Sequence, residues 1–177
     1  MRITGGLLKG RIVQCPDGII RPAMDKMKES VFSILGNLEG KSFLDLFSGS
    51  GSIALEASSR GADPVWLIEK DRIKIDTVLE NVKIAPNKIT CKFMAVELFL
   101  KRNKEQFDII FCDPPFPYKY HEDLTGMCSR YGAVAQNGIV IIHRPSEKKL
   151  PDIIEKLERI DQRVFGRSIV DFYKNRA

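Results

Sequence analysis

Asp113-Pro114-Pro115-Phe116 is the stretch of this sequence richest in chemistry. It closes an apolar run, Phe107–Cys112, with an acid, two prolines and an aromatic ring. The two prolines stiffen the backbone and remove two amide donors, leaving carbonyl acceptors. An exocyclic amino group on a planar base needs such a setting. Its nitrogen lone pair is conjugated into the ring and is a poor nucleophile. Hydrogen bonds from its two N–H groups to the Asp113 carboxylate and the Pro114 carbonyl would localise that lone pair toward an electrophile. Phe116 would stack on the base face, a contact worth about 1–3 kcal/mol per base. The competing reading is a rigid strand-to-loop turn without chemistry.

A second feature is Asp45-Leu46-Phe47-Ser48-Gly49-Ser50-Gly51-Ser52. Glycines at the carboxyl end of a strand let a ligand approach the backbone closely. With Ala54 the spacing is G-x-G-x-x-A, which a dinucleotide would tolerate. Glu69 follows 18 residues after Gly51 and closes another apolar run. A carboxylate there can accept both hydroxyls of a ribose, which NAD and S-adenosylmethionine both present. The two differ at the first loop. A dinucleotide asks for backbone amides around pyrophosphate, whereas S-adenosylmethionine presents an ammonium that wants an acceptor such as Asp45, directly or through water. A strand-end residue capping its own turn is the plainer role for Asp45.

These residues must be held by the elements around them. Ser42–Leu46, Pro64–Ile68, Ile89–Phe93, Phe107–Cys112 and Gly138–His143 read as short buried strands. Between them lie helical patterns at Ser52–Arg60, Arg72–Ile84, Val96–Arg102 and Tyr120–Ala135. The alternation predicts an α/β fold with a parallel sheet covered on both faces. Arg159–Phe165 and Ser168–Tyr173 flank Gly166-Arg167 and predict a C-terminal antiparallel hairpin. The glycine- and proline-bearing residues 1–22 predict a short β-hairpin extension, followed by a helix at Met24–Leu35 with Asp25 near its start. The 177 residues then form one domain, with an extension at 1–38 and a core at 39–177.

The formal net charge is +5, and the excess sits at the two ends. Residues 1–30 carry six basic and three acidic side chains, and residues 156–177 carry the same. The middle of the chain, 31–155, carries sixteen and seventeen. Basic ends suit phosphate-rich partners, or simply a solvated surface. The apolar runs are too short to span a bilayer, and the first residues lack the apolar core of a signal peptide. Cys15, Cys91, Cys112 and Cys128 form no C-x-x-C pair and read as reduced thiols of a cytoplasmic protein. With only His121 and His143 in the chain, no metal site is expected. His121 reads as an exposed helix-start residue, His143 as structural and Trp66 as core.

Taken together, the motifs resemble the class I S-adenosylmethionine-dependent methyltransferases. Asp45–Gly51 resembles their first motif, Ile68-Glu69-Lys70-Asp71 their second, and Asp113-Pro114-Pro115-Phe116 the motif of enzymes that methylate amino nitrogens. Arg2-Ile3-Thr4-Gly5-Gly6, Lys9-Gly10-Arg11 and Arg21-Pro22, with Asp25, Lys26, Lys28 and Glu29, resemble the RsmD family over nearly the whole chain. The resemblance implies a Rossmann-like sheet and N2-methylation of a guanine in small-subunit ribosomal RNA, with Asp113, Pro114, Pro115 and Phe116 catalytic. It implies S-adenosylmethionine at Asp45, Phe47, Gly49, Gly51, Glu69, Lys70, Met94, Ala95 and Asp113. By analogy the Arg21–Glu29 segment, with Glu29, closes over the cofactor. Arg2, Lys9, Arg11, Arg21, Lys26 and Lys28 become candidate RNA contacts. Tyr118, with Tyr120, is expected along the substrate pocket. Two departures stand out. Met24 replaces the usual Thr before Asp25, and Met94-Ala95 replaces an Asp or Asn before Ala. Adenine must then rely on backbone groups near Met94 and apolar packing from Ile73, so weaker or rearranged cofactor binding is expected.

Other readings fit less well. An amino-methyltransferase acting on DNA adenine or another RNA would use the same D-P-P-F chemistry, but the DNA enzymes usually carry an added recognition domain, for which 177 residues leave no space. Glutamine methyltransferases favour N-P-P-Y. A non-catalytic ribosome-assembly factor would not need Asp113 and Glu69. An NAD-dependent oxidoreductase is disfavoured by the two prolines and the terminal hairpin. The expected partner is ribosomal RNA or the small subunit, with neither a membrane nor an obligate protein partner, and a monomeric state.

Overall fold

A computed structural model describes residues 1–15, 22–115 and 117–177, with the side chains of Pro22 and Ala23 excepted. In chain order the elements are α1 (Pro22–Leu35), β1 (Phe43–Leu46), α2 (Ser52–Ser59) and β2 (Val65–Ile68). A 3-10 turn at Arg72–Lys74 leads into α3 (Ile75–Val82), β3 (Ile89–Lys92), α4 (Val96–Arg102) and β4 (Phe107–Cys112). Then come α5 (His121–Arg130), β5 (Val134–Pro145), β6 (Ile153–Ile154), β7 (Leu157–Phe165) and β8 (Ser168–Asn175). One eight-stranded sheet results, in the order β3-β2-β1-β4-β5-β8-β7-β6. The first five strands pair in parallel and the last three pair antiparallel.

All four residues of β1 are buried, as a central strand of a doubly covered sheet requires. Its side chains alternate between two cores. Phe43 joins Phe111, Ile141 and Phe172 on the face covered by α1 and α2. Leu44 and Leu46 join Ile110, Ile142 and Tyr173 on the face covered by α4 and α5. After β1 the chain builds outward through β2 and β3, then returns to add β4 on the other side. That reversal opens a crevice at the carboxyl ends of β1 and β4, where open α/β sheets bind ligands.

Among the described residues, the N-terminal hairpin predicted over 1–22 reduces to an Arg2–Ile12 bridge, and residues 16–21 of it lie outside them. Ile3 N–H donates to Arg11 O at 2.9 Å and Gly10 N–H to Ile3 O at 2.8 Å. Ile3 and Val13 sink into the same core as Phe32 and Phe43, so extension and sheet share one apolar cluster.

The sequence-based boundaries of β4 and α4 match the structure. The predicted helix at Arg72–Ile84 is divided between the 3-10 turn and α3. The one predicted at Tyr120–Ala135 ends at Arg130, and β5 already begins at Val134. There the pairing jumps from Phe107–Val134 to Ile109–Ile139. Asn137 in that bulge has φ +61°. Gly138 is required: a Cβ there would lie 2.8 Å from Ala135 O and 3.0 Å from Asp108 O. Among the described residues no helix is long and apolar enough to cross a membrane.

Candidate active site at the carboxyl ends of the central strands

The loop after β1 is shaped by its backbone. Phe47 (φ +59°), Gly49 (φ +63°) and Gly51 (φ +86°) all lie in the left-handed region. That is uncommon for a bulky residue such as Phe47 and is where strain gathers at functional sites. Gly51 caps α2. A Cβ on Gly49 would meet nothing within 4 Å, so space lies open in front of the loop.

Three carboxyl groups converge on this space. Asp45 is buried, and its Oδ2 accepts from Ser48 Oγ at 2.8 Å and Ala54 N–H at 3.2 Å. Thus Oδ2 caps the turn, the plainer of the two roles read from sequence. Burial raises the Asp45 carboxyl to about 8, the two hydrogen bonds oppose this, and the charges of Asp113 and Glu69 add to it. Glu69, at the end of β2, accepts Gly49 N–H on Oε2 at 2.7 Å and Asp71 N–H on Oε1 at 2.9 Å. It therefore clamps the glycine loop, and each oxygen keeps a second lone pair for a ligand hydroxyl. A net-negative cavity with an open glycine face fits a ligand that carries cationic groups and a ribose.

Asp113 continues β4 beside this cavity, with its side chain 25% exposed. Its N–H reaches Leu46 O at only 3.5 Å. Pro114 is buried and Pro115 exposed, and Tyr118 N–H closes a turn onto Pro115 O at 2.9 Å. The Tyr118 hydroxyl donates to Glu97 Oε1 at 2.9 Å. Burial first, and that bond second, push its pKa up, so it is no base. Its ring meets Phe47 edge-on at 5.3 Å, Tyr120 at 5.8 Å and His121 at 5.5 Å, joining the first loop to the substrate-side loop.

Ile73 is 84% exposed in the 3-10 turn after β2, with an apolar side chain free to pack on a ligand. Lys70 is exposed beside it, and Ala95 caps α4. Met94 is half-buried and borders, with Trp66, Lys92 and Phe99, an open cleft of about 350 Å³. Trp66 is half-buried at that cleft, with the Lys92 ammonium 5.6 Å from its ring centroid.

Arg2, Lys9, Arg11, Lys26 and Glu29 are exposed on the N-terminal segment and α1. Arg21 and Phe116 lie outside the described residues. Lys28 is corrected by the structure. Its ammonium is fully buried, donates to Arg2 O at 2.6 Å and sits 3.7 Å from Glu56 Oε1, so it is out of reach of a phosphate. His121 is also corrected: it opens α5 but is buried, and burial lowers its pKa.

Sequence reasoning missed four polar side chains. Glu56, wholly buried in α2, accepts Thr4 N–H at 2.8 Å, Thr4 Oγ1 at 2.7 Å and Gly5 N–H at 3.1 Å. Its only signal was an acid among Ala54, Leu55 and Ala57. Asn81 in α3 donates to Ser50 O at 2.8 Å and Gln14 O at 2.9 Å, tying the glycine loop to the N-terminal segment. His143 and Ser168 stand beside Asp113: His143 Nδ1 is 2.9 Å from Asp113 Oδ1, and Nε2 is 2.8 Å from Ser168 Oγ.

Sheet order, switch-point crevice and glycine loop are those of the class I S-adenosylmethionine methyltransferase fold. The solved structure of yhhF from Escherichia coli superposes with a TM-score of 0.90 at 28% identity, covering 100% of this chain and 98% of that one. SMU.776, solved with SAH bound, shares the fold with a TM-score of 0.73 at 15% identity, over 94% of this chain and 52% of that one. The chain belongs to the family described as Conserved hypothetical protein 95, whose model matches residues 1–174. YlbH of Bacillus subtilis is 30% identical over 100% of both chains. Ribosomal RNA small subunit methyltransferase D of Escherichia coli is 29% identical over 100% of this chain and 91% of its own.

Proposed function

We propose that this chain transfers a methyl group from S-adenosylmethionine to the exocyclic N2 of a guanine in small-subunit ribosomal RNA. One observation carries the reading. The Asp113-Pro114-Pro115 turn projects from β4 beside the carboxylate-lined crevice of β1 and β2. The names of the full-length relatives support ribosomal RNA as substrate.

When bound, S-adenosylmethionine supplies an electrophilic methyl on a sulfonium, so the protein's task is positioning. Glu69 offers acceptor sites to the ribose hydroxyls, and Asp45 and Asp113 offer negative charge to the methionyl ammonium. The Gly49–Gly51 backbone leaves room for close approach, and Ile73 packs against the adenine. Asp113 accepts one N–H of the guanine amino group and the Pro114 carbonyl the other, turning the nitrogen lone pair toward the methyl. The proton lost from nitrogen after transfer passes to Asp113. A paired target base must leave its stack to reach this turn. Arg2, Lys9, Arg11 and Lys26 hold the phosphates around it.

The test incubates the protein with labelled S-adenosylmethionine and small-subunit RNA, free and assembled, followed by nucleoside analysis. N2-methylguanosine in a single fragment is the expected product. Methyladenine, or no transfer to either substrate, overturns the reading.

A further inference from the structure

We propose that His143 is a positioning residue for Asp113, and that Ser168 sets the tautomer in which His143 acts. This rests on the proposed role of Asp113 as the acceptor of the guanine amino group.

The sheet register brings the three together. β4 and β5 pair through Cys112–Ile142, and one step further brings Asp113 level with His143. β8 runs antiparallel to β5 with Val170 opposite His143, so Ser168 is its diagonal neighbour. Phe111, Ile141 and Val170 lie in the core under α1 and α2, and alternation puts Asp113, His143 and Ser168 on that same face.

The partners dictate where the imidazole proton sits. The Asp113 carboxylate presents only lone pairs, so Nδ1 carries the proton and donates across 2.9 Å. Nε2 of the neutral ring is then an acceptor and needs a donor. The Ser168 hydroxyl, 2.8 Å away, is that donor. Its other possible acceptor, Phe165 O, is more distant at 3.1 Å.

Asp113 needs this support. Its backbone bond to Leu46 O is long, at 3.5 Å, and its side chain stands at the rim of the crevice. With Oδ1 held by His143, the carboxylate plane is fixed and Oδ2 is left for the amino group. Without it the carboxylate rotates, and misplacement of about 1 Å costs on the order of 100-fold in rate.

Two variants separate positioning from packing. His143→Phe keeps a ring and removes the donor, whereas His143→Asn keeps an N–H close to the Nδ1 position. The expected result is a kcat lower by roughly 10–100-fold in His143→Phe and largely restored in His143→Asn. Cofactor affinity by calorimetry should stay within about 2-fold, which is about 0.4 kcal/mol. Full turnover in His143→Phe, or equal losses in both variants, overturns the proposal. A second readout needs no RNA. With only two histidines in the chain, nitrogen NMR of labelled imidazoles reports the tautomer directly. A protonated Nδ1 and bare Nε2 on His143, perturbed in Asp113→Asn and Ser168→Ala, are expected, and the opposite tautomer overturns the assignment. A wild-type protein that transfers nothing to guanine would sink the functional reading, while the NMR result still decides whether His143 holds Asp113.

Discussion

Lys28 and Glu56 face one another across 3.7 Å with both side chains sealed from solvent. They link α1, α2 and the N-terminal segment, because Lys28 also donates to Arg2 O and Glu56 accepts from Thr4 and Gly5. Arg60 adds a second cation to Glu56 at 3.1 Å. Removing Glu56 leaves Lys28 with only the partly exposed Asp25 carboxylate, 3.6 Å away, and strands the Thr4 and Gly5 donors. Glu56→Ala should therefore lose about 3–5 kcal/mol in urea unfolding. A loss under about 1 kcal/mol would mean that the Lys28 ammonium finds water.

Removing Asp113 tests the chemistry without dismantling the fold, since the side chain is partly exposed. Asp113→Ala should lower methyl transfer by about 100–10,000-fold, the range for a positioned acid–base group. Affinity for the cofactor product, measured by calorimetry, should fall far less than the rate, because Asp45 and Glu69 still face the ligand. A variant retaining full transfer on its natural RNA would exclude Asp113 from catalysis.

The buried Asp45 carboxyl makes ligand binding depend on pH. It titrates near 8 in the free protein, so below that pH it is mostly protonated. A cationic ligand favours the carboxylate, and binding there must release a proton. Affinity for S-adenosylmethionine should rise as pH increases toward 8 and then level off. Calorimetry from pH 6.5 to 9 in wild type and Asp45→Asn checks this, the variant lacking the rise. Stability of the free protein moves the other way. A carboxyl raised from 3.8 to about 8 on folding contributes stability that is full below the lower value and lost as pH rises through the upper one.

Lys9 and Arg11 are exposed on the N-terminal segment, next to Leu7, which is 82% exposed. Neutralising both should flatten the salt dependence of RNA binding, by about 0.7–0.9 in log–log slope for each phosphate left without its cation. Fluorescence anisotropy across a salt series measures it, and an unchanged slope would remove these side chains from the interface.

Local pattern makes much of this molecule legible. The apolar run Phe107–Cys112 is buried on both faces and could only be a central strand, so its limits follow from the sequence. The start of β5 does not, because the pattern assigns residues up to Ala135 to a helix and the strand only from Gly138, whereas the structure begins the strand at Val134 and bulges it before Gly138. The carboxylates of the crevice are readable because each lies at or just past the carboxyl end of its own strand. His143 is not, because its meaning depends on which strands lie beside β5, and register is a long-range property. Lys28 is misread for a related reason. Charge counts cannot tell an exposed ammonium from one whose counter-ion arrives from α2.

The antiparallel return of β8 has a consequence for how the protein is made. His143 lies 30 residues after Asp113 and Ser168 lies 55 after it, and all three meet at one rim of the sheet. A nascent chain that has completed β1 to β4 holds the glycine loop, Glu69 and Asp113, yet the carboxylate still lacks its imidazole. The site gains its final geometry only when the last hairpin inserts beside β5. The carboxylates and glycines of the crevice thus all precede β5 in the chain, whereas the groups that align Asp113 come from β5 itself and from β8.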